Sequence, residues 1–349
     1  MYINDIIYIH YLASNLRYKG RGLMKSYARI TAQGAYVPSK IMTNADFEQI
    51  VETSDDWIRQ RTGIIERRIT EADEYTSDMS YKAIMDLQQK YDVDLSDVDM
   101  IIHATITPDY HTPSVASYIQ GRLGLTNAGA MDLNAACAGF TYGLNVANGL
   151  ISSGQNKKVL VVGSEALSKI TDYTDRNTCI LFGDGAGVFL VEYVESDPSF
   201  ITSHSGSDGA KAENLYCSAL SSEMYGNELE NEGNIVQNGR GVYKWAVGNI
   251  PSIIHQTLTK VDMTPQDIDW FVPHSANARM IESICDKAQI NVDKALMSLA
   301  YYGNTSSATI PLAIDLALKE GKVQQGDKML LVGFGEGLAF ASTLIKLSL

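Results

Sequence analysis

Three polar side chains, Cys137, His274 and Asn304, stand where this chain could do chemistry. Cys137 lies between Ala136 and Ala138-Gly139, immediately before an apolar stretch of helical period. Small neighbours leave room for a carbonyl carbon to approach the sulfur, and a helix N-terminus favours the thiolate over a free thiol of pKa about 8.5. The pattern offers a nucleophile toward a carbonyl, although for the cysteine taken alone a buried core residue is the commoner fate. His274 follows the apolar run Trp270-Phe271-Val272-Pro273 and opens the polar turn Ser275-Ala276-Asn277. Ligands collect beyond strand ends in α/β folds, so an imidazole there is better placed for chemistry than for packing. Asn304, in Tyr302-Gly303-Asn304-Thr305-Ser306, either caps the following helix or offers its amide to a substrate.

The elements that must position these groups are written twice. Asp97-Val98-Asp99-Met100-Ile101-Ile102, Ala136-Cys137-Ala138-Gly139 and Lys158-Val159-Leu160-Val161-Val162-Gly163 recur in order about 170 residues later. The second copy reads Asp267-Ile268-Asp269-Trp270-Phe271-Val272, Gly303-Asn304-Thr305-Ser306 and Lys328-Met329-Leu330-Leu331-Val332-Gly333. Sliding one copy onto the other brings Cys137 to the Asn304 region. Two lobes packed face to face would bring a thiol, an amide and an imidazole to one substrate.

Periodicity predicts strands at 28–36, 100–104, 130–133 and 159–162, with a further pair at 180–182 and 188–191. Helices are predicted at 44–51, 77–87, 114–123, 140–152 and 243–258, and a charged, capped turn at 53–63. Residues 197–240 carry little periodicity and read as a connection between lobes. Alternating strands and helices imply layered α/β lobes, divided as 24–196 and 197–349. Residues 1–23 read as an extension outside the fold. Arg17, Lys19 and Arg21 follow the apolar run 6–13 where a secretory signal needs them before it, and Met24 is the expected natural start.

Bulk properties exclude several classes. A net charge of −13 argues against nucleic-acid binding, which needs clustered Lys and Arg over a face. No run approaches the roughly 20 apolar residues of a membrane span. The four cysteines form no CxxC pair, so neither a metal site nor a disulfide framework is indicated and a reducing cytoplasm is expected.

Asn134-Ala135-Ala136-Cys137-Ala138-Gly139-Phe140, Pro273-His274-Ser275-Ala276-Asn277, Tyr302-Gly303-Asn304-Thr305-Ser306 and Thr53-Ser54-Asp55-Asp56-Trp57-Ile58 together resemble 3-oxoacyl-[acyl-carrier-protein] synthase III. The resemblance runs from Met24 to Leu349 and implies a thiolase-like fold, two pseudo-symmetric α/β halves in αβαβα layers, acting as a homodimer. It implies an enzyme that condenses an acyl-coenzyme A primer with malonyl-acyl carrier protein at the start of fatty-acid synthesis, with no tightly bound cofactor. Cys137 would carry the acyl group, and His274 and Asn304 would hold the malonyl thioester. Backbone N–H groups of Cys137 and of the loop Gly335-Glu336-Gly337, Glu336 in particular, would form the oxyanion hole. The same resemblance gives coenzyme A to Thr53, Trp57, Arg61, Arg176, Gly239 and Asn277, and the carrier protein to Lys244, Arg279 and Lys287. It gives the acyl pocket to Thr112, whose small size suggests room for branched primers.

Two residues depart from the family pattern. Ser275 stands where Gln is usual, and Glu336 sits in a loop usually rich in Gly or Ala. A carboxylate beside a developing oxyanion would oppose it, so either Glu336 points away or the loop has a different job. A synthase-III-like enzyme of secondary metabolism is the competing reading, since such relatives keep the same three residues. A non-catalytic coenzyme A- or nucleotide-binding protein is the outsider, resting on Gly183-Asp184-Gly185-Ala186-Gly187, which opens no helix.

Overall fold

The computed structural model describes residues 25–230 and 233–349. The expected extension 1–23 and the expected start at Met24 lie outside the described residues. Two sheets carry the fold. The first runs Ala28–Tyr36, Asp184–Tyr193, Lys158–Ala166, Met100–Ala104, Gly129–Leu133. The second, built in the same sense, runs Phe200–Ser207, Ala339–Lys346, Lys328–Gly335, Trp270–Pro273. Its fifth position is reduced to one bridge between Phe271 and Ala295.

The repeated Asp-x-Asp has a local cause. Asp99 accepts from the backbone N–H groups of Lys157 and Lys158 at 2.7 and 3.2 Å, while Asp269 accepts from Lys328 N–H at 2.7 Å. Each carboxylate thereby seals the start of its lobe's central strand, where backbone donors would otherwise lack partners. The following runs, Val159–Val162 and Met329–Val332, are fully buried because both faces of each sheet are covered.

Helices Gly139–Ser152 and Thr309–Lys319 lie between the sheets in one apolar cluster with Val161, Phe189, Val272 and Leu331. Phe140 meets Phe189 edge to face at 5.1 Å, a favoured aromatic geometry. Helices Thr76–Tyr91 and Val115–Leu123 cover the outer face of the first sheet, and Gly239–Thr259 and Ala278–Ala288 that of the second. The result is the αβαβα layering that the resemblance implied.

Three local expectations are corrected. Residues 53–63 form a helix, Asp55–Thr62, with Ser54 accepting from Trp57 N–H at 3.2 Å and Gly63 closing it at φ 81°. Its ends are polar and only Ile58 and Thr62 are buried, so the apolar period that betrays a helix is missing. Residues 180 and 181 lie in a turn, where the buried Arg67 donates from Nε to the Ile180 carbonyl at 2.8 Å, and Phe182 makes only a single bridge with Asn304. The connection 197–240 contains Phe200–Ser207, a full member of the second sheet paired along Ala339–Lys346. Its remainder does form short ribbons, Leu215–Cys217 with Ile235–Gln237 and Glu223–Met224 with Asn227–Glu228.

Candidate active site

Two matching turns face each other across the lobes. Ala136–Ala138 and Ser306–Ala308 each make a single 3₁₀ turn that runs into a central helix. Each opens on a non-glycine residue in the left-handed region, Ala136 at φ 45° and Ser306 at φ 48°. This sets the register that the sequence left loose: Cys137 matches Ser307, and Asn304 matches Asn134. Each turn is gripped by the other lobe. A Cβ on Gly333 would come 2.8 Å from Ala138 Cα, and one on Gly163 would come 2.7 Å from Ser307 O. Only glycine permits that approach.

Cys137 is buried, and its sulfur has Gly335 beside it, where a Cβ would sit 2.9 Å from Sγ. Burial pushes the thiol well above its usual range, and the Glu336 carboxylate pushes in the same direction. Desolvation and a like charge thus oppose the thiolate that a helix N-terminus favours. The Ser306 hydroxyl faces the sulfur and acts the other way, although it meets full hydrogen-bond geometry with no group.

His274 is also buried. Its backbone N–H donates to Val332 O at 2.8 Å, and its ring meets Phe334 edge to face at 5.5 Å. Burial pushes its pKa down to about 3, opposed by the Ser306 backbone, so the imidazole is neutral across physiological pH. Thr309 Oγ1 lies 2.9 Å from Nδ1 and 2.9 Å from Ser306 O. Its single proton goes either to Ser306 O or to Nδ1; in the second arrangement the ring proton sits on Nε2 and is available to a ligand. Asn304 is fixed by its backbone to Leu181 O and Gly183 N–H, and its Oδ1 accepts from Ser306 N–H at 2.9 Å. The amide Nδ2 is left as the end that can donate to a carbonyl. Ser306 therefore touches all three groups: its hydroxyl faces Cys137, its carbonyl side faces His274, and its N–H holds Asn304.

Glu336 does not point away, so of the two readings it is the loop with a different job that is left. Its Oε2 lies 3.4 Å from Cys137 Sγ, and the backbone N–H groups of Glu336 and Cys137 face the carboxylate. Gly337, at φ 126°, turns the chain back so that this side chain enters the site. Glu165 is a further buried carboxyl that sequence reading missed. It accepts from Thr105 and Thr107 hydroxyls and from Ile106 N–H, and Ser307 Oγ donates to it at 3.2 Å. Burial raises it to about 7. Its sequence signal is a charged residue three positions after the end of the apolar run 159–162, beyond Gly163 and Ser164.

The remaining expected residues fall in separate places. Two guanidinium groups approach the Trp57 ring, Arg61 with Cζ 5.9 Å and Arg176 with Cζ 5.6 Å from its centroid. Asn277 caps helix Ala278–Ala288 and donates from Nδ2 to Arg61 O at 3.0 Å, tying that helix to the Trp57 segment. Thr53 Oγ1 is buried without a partner, and Gly239 is the exposed first residue of its helix. Lys244, Arg279 and Lys287 are exposed on two helices joined by a Tyr243–Ser283 hydrogen bond at 2.8 Å. Thr112 is exposed, on a loop beside Tyr110. The Ser275 hydroxyl accepts from Ser298 N–H at 3.1 Å, so this departure holds the chain behind the imidazole. Among the described residues, no group of three or more His, Cys, Asp or Glu is placed to hold a metal, and no helix is long and apolar enough to cross a membrane.

A doubled αβαβα core with a buried cysteine before one central helix defines the thiolase-like condensing acyltransferases. Residues 131–209 match the family described as 3-Oxoacyl-[acyl-carrier-protein (ACP)] synthase III, and residues 258–347 match its C-terminal part. A beta-ketoacyl-[acyl-carrier-protein] synthase III 2 of Staphylococcus epidermidis is 72% identical over 323 residues, covering 93% of this chain and 99% of that protein. Its counterpart in Halalkalibacterium halodurans is 60% identical, over 92% and 97% of the two chains. The crystal structure of beta-ketoacyl-[acyl carrier protein] synthase III from Thermus thermophilus superposes with a TM-score of 0.88 at 43% identity, covering 92% of this chain and 99% of that one. The chain belongs to the 3-oxoacyl-[acyl-carrier-protein] synthase III family, the condensing enzymes that start fatty-acid chains.

Proposed function

We propose that Cys137 takes an acyl group from an acyl-coenzyme A primer, and that His274 and Asn304 then bind the thioester carbonyl of malonyl-acyl carrier protein. The observation that carries this reading is the buried Ser306, which links all three side chains. Loss of carbon dioxide leaves an enolate, whose oxygen the Nε2–H and Nδ2–H donors stabilise. Its carbon attacks the acyl-Cys137 thioester and yields 3-oxoacyl-acyl carrier protein. A neutral imidazole suits this role because it can donate a hydrogen bond and has no charge to lose. The backbone N–H groups of Cys137 and Glu336 receive the tetrahedral oxyanion, donors typically worth about 100- to 1000-fold each.

The Trp57 site is proposed to stack the coenzyme A adenine against Arg176, with Arg61 at the phosphates and Thr53, Gly239 and Asn277 along the arm. A base between Trp57 and Arg176 needs about 7 Å, twice a van der Waals contact, against the 5.6 Å between them. Arg176 therefore swings outward as the base enters. Lys244, Arg279 and Lys287 are proposed to dock the acidic carrier protein, which a net charge of −13 would otherwise repel. Thr112 is proposed to line the acyl pocket of a partner copy in a homodimer, giving room for branched primers. The division into 24–196 and 197–349 is proposed as the boundary of the halves, and the cytoplasm as the setting.

Steady-state kinetics with both substrates varied tests the covalent route. Parallel double-reciprocal lines are expected from a ping-pong path. Intersecting lines, with no partial reaction when carrier protein is omitted, would contradict it.

A further inference from the structure

One carboxyl in the site has no part in the chemistry described so far. Glu336 Oε2 lies 3.4 Å from Cys137 Sγ, and its carboxylate faces the backbone N–H groups of Cys137 and Glu336 that are proposed to bind the oxyanion. A permanent charge there would oppose the tetrahedral intermediate. Burial favours the protonated thiol and pushes the Glu336 carboxyl upward as well, so the two neighbouring groups are both drawn toward holding the proton that sulfur must lose when it attacks. The two difficulties cancel if they are one event.

Resting on the acyl-Cys137 reading above, we propose that Glu336 is a catalytic residue that carries the Cys137 proton through acyl transfer. As the Sγ electron pair bonds to the primer's carbonyl carbon, the thiol proton passes to Glu336 Oε2 and the carbonyl π pair moves onto oxygen. Negative charge leaves the carboxylate as it appears on the oxyanion, so the same N–H donors serve one charge throughout. Collapse re-forms the carbonyl and breaks the bond to the coenzyme A sulfur, which leaves with its electron pair and takes the proton back from Glu336. The products are acyl-Cys137, free coenzyme A thiol and the starting carboxylate. The other titrating groups that feel Glu336 are Glu165 and Cys217, and neither contacts Sγ.

The test is the pH dependence of the acyl-transfer half-reaction, measured by rapid mixing of the full-length protein with acyl-coenzyme A and no carrier protein. The wild type should show a rate that is flat above the Glu336 ionisation. Glu336→Gln should be on the order of 100-fold slower at pH 7 and climb tenfold per pH unit, as unassisted thiolate attack requires. Glu336→Asp should keep a flat region at reduced height, and it carries the test if the Gln variant unfolds. A Glu336→Gln rate at pH 7 equal to or above wild type would overturn the proposal and make the carboxylate an obstruction. Failure of the wild type itself to acylate Cys137 would instead defeat the reading beneath it.

Discussion

The Cys137 turn and the Ser307 turn share one backbone and differ in what faces them. Gly163 and Gly333 occupy matching strand positions and grip opposite turns at nearly the same distance. Two residues further along each strand the lobes part company. Glu165 meets Ser307 with a carboxyl bonded to Thr105, Ile106 and Thr107, whereas Gly335 lies against Cys137 with no side chain and the carboxyl near the sulfur comes from Glu336 instead. Duplication supplied two equivalent turns, and a glycine against a glutamate at matching strand positions sets their surroundings apart.

The comparison is broken most severely by exchanging its ends. Cys137→Ala should lower condensation by roughly 10⁴-fold or more, as loss of a covalent nucleophile does. Ser307→Ala should leave the acyl-transfer rate within a few-fold of wild type, as stopped-flow assays would show. Gly335→Ala puts a methyl 2.7 Å from Cys137 Cβ and should cut acyl transfer by about 100-fold at little change in fold. Gly163→Ala meets Ser307 O instead, and should appear in thermal unfolding as a loss of roughly 1 to 3 kcal/mol.

A pH experiment sharpens the contrast on the Glu165 side. Glu165 is raised to about 7 in the fold, against 4.5 ordinarily, so between those values the native state binds a proton that the unfolded chain does not. Its stabilising effect is present at low pH and is lost as pH rises through 7, up to roughly 3 kcal/mol in all. Glu165→Gln should flatten that slope in denaturant titrations at pH 5 and pH 8, with its largest gain over wild type at pH 8. An unchanged slope would show that the carboxyl ionises normally.

Smaller effects are expected further out. Thr309→Val removes the partner of His274 Nδ1 and should slow malonyl decarboxylation about 10-fold while sparing acylation of Cys137, a hydrogen bond's worth. Trp57→Ala should raise the Michaelis constant for acyl-coenzyme A several-fold with little change in kcat, the scale of an exposed stacking contact.

Much of this was legible in the chain. The repeated Asp-x-Asp, apolar strand and Lys pattern disclosed two lobes because each motif performs the same backbone task in each copy. Cys137, His274 and Asn304 were visible as residue types at strand and helix ends. What stayed hidden depends on distance between lobes. The pairing of Gly335 with Cys137, the bond from Ser307 to Glu165 and the inward turn of Glu336 join residues more than a hundred positions apart. Helix Asp55–Thr62 was missed for another reason, since caps and charges hold it with few buried apolar residues. The membership of Phe200–Ser207 in the second sheet likewise follows from its partner strand and not from its own period.

Peptide mapping by mass spectrometry after brief exposure to acyl-coenzyme A, without carrier protein, tests the asymmetry most directly. The account predicts one acyl adduct, on the peptide holding Cys137, absent from Cys137→Ala and never on Ser307. An adduct on another residue, or full condensation by Cys137→Ala, would contradict it.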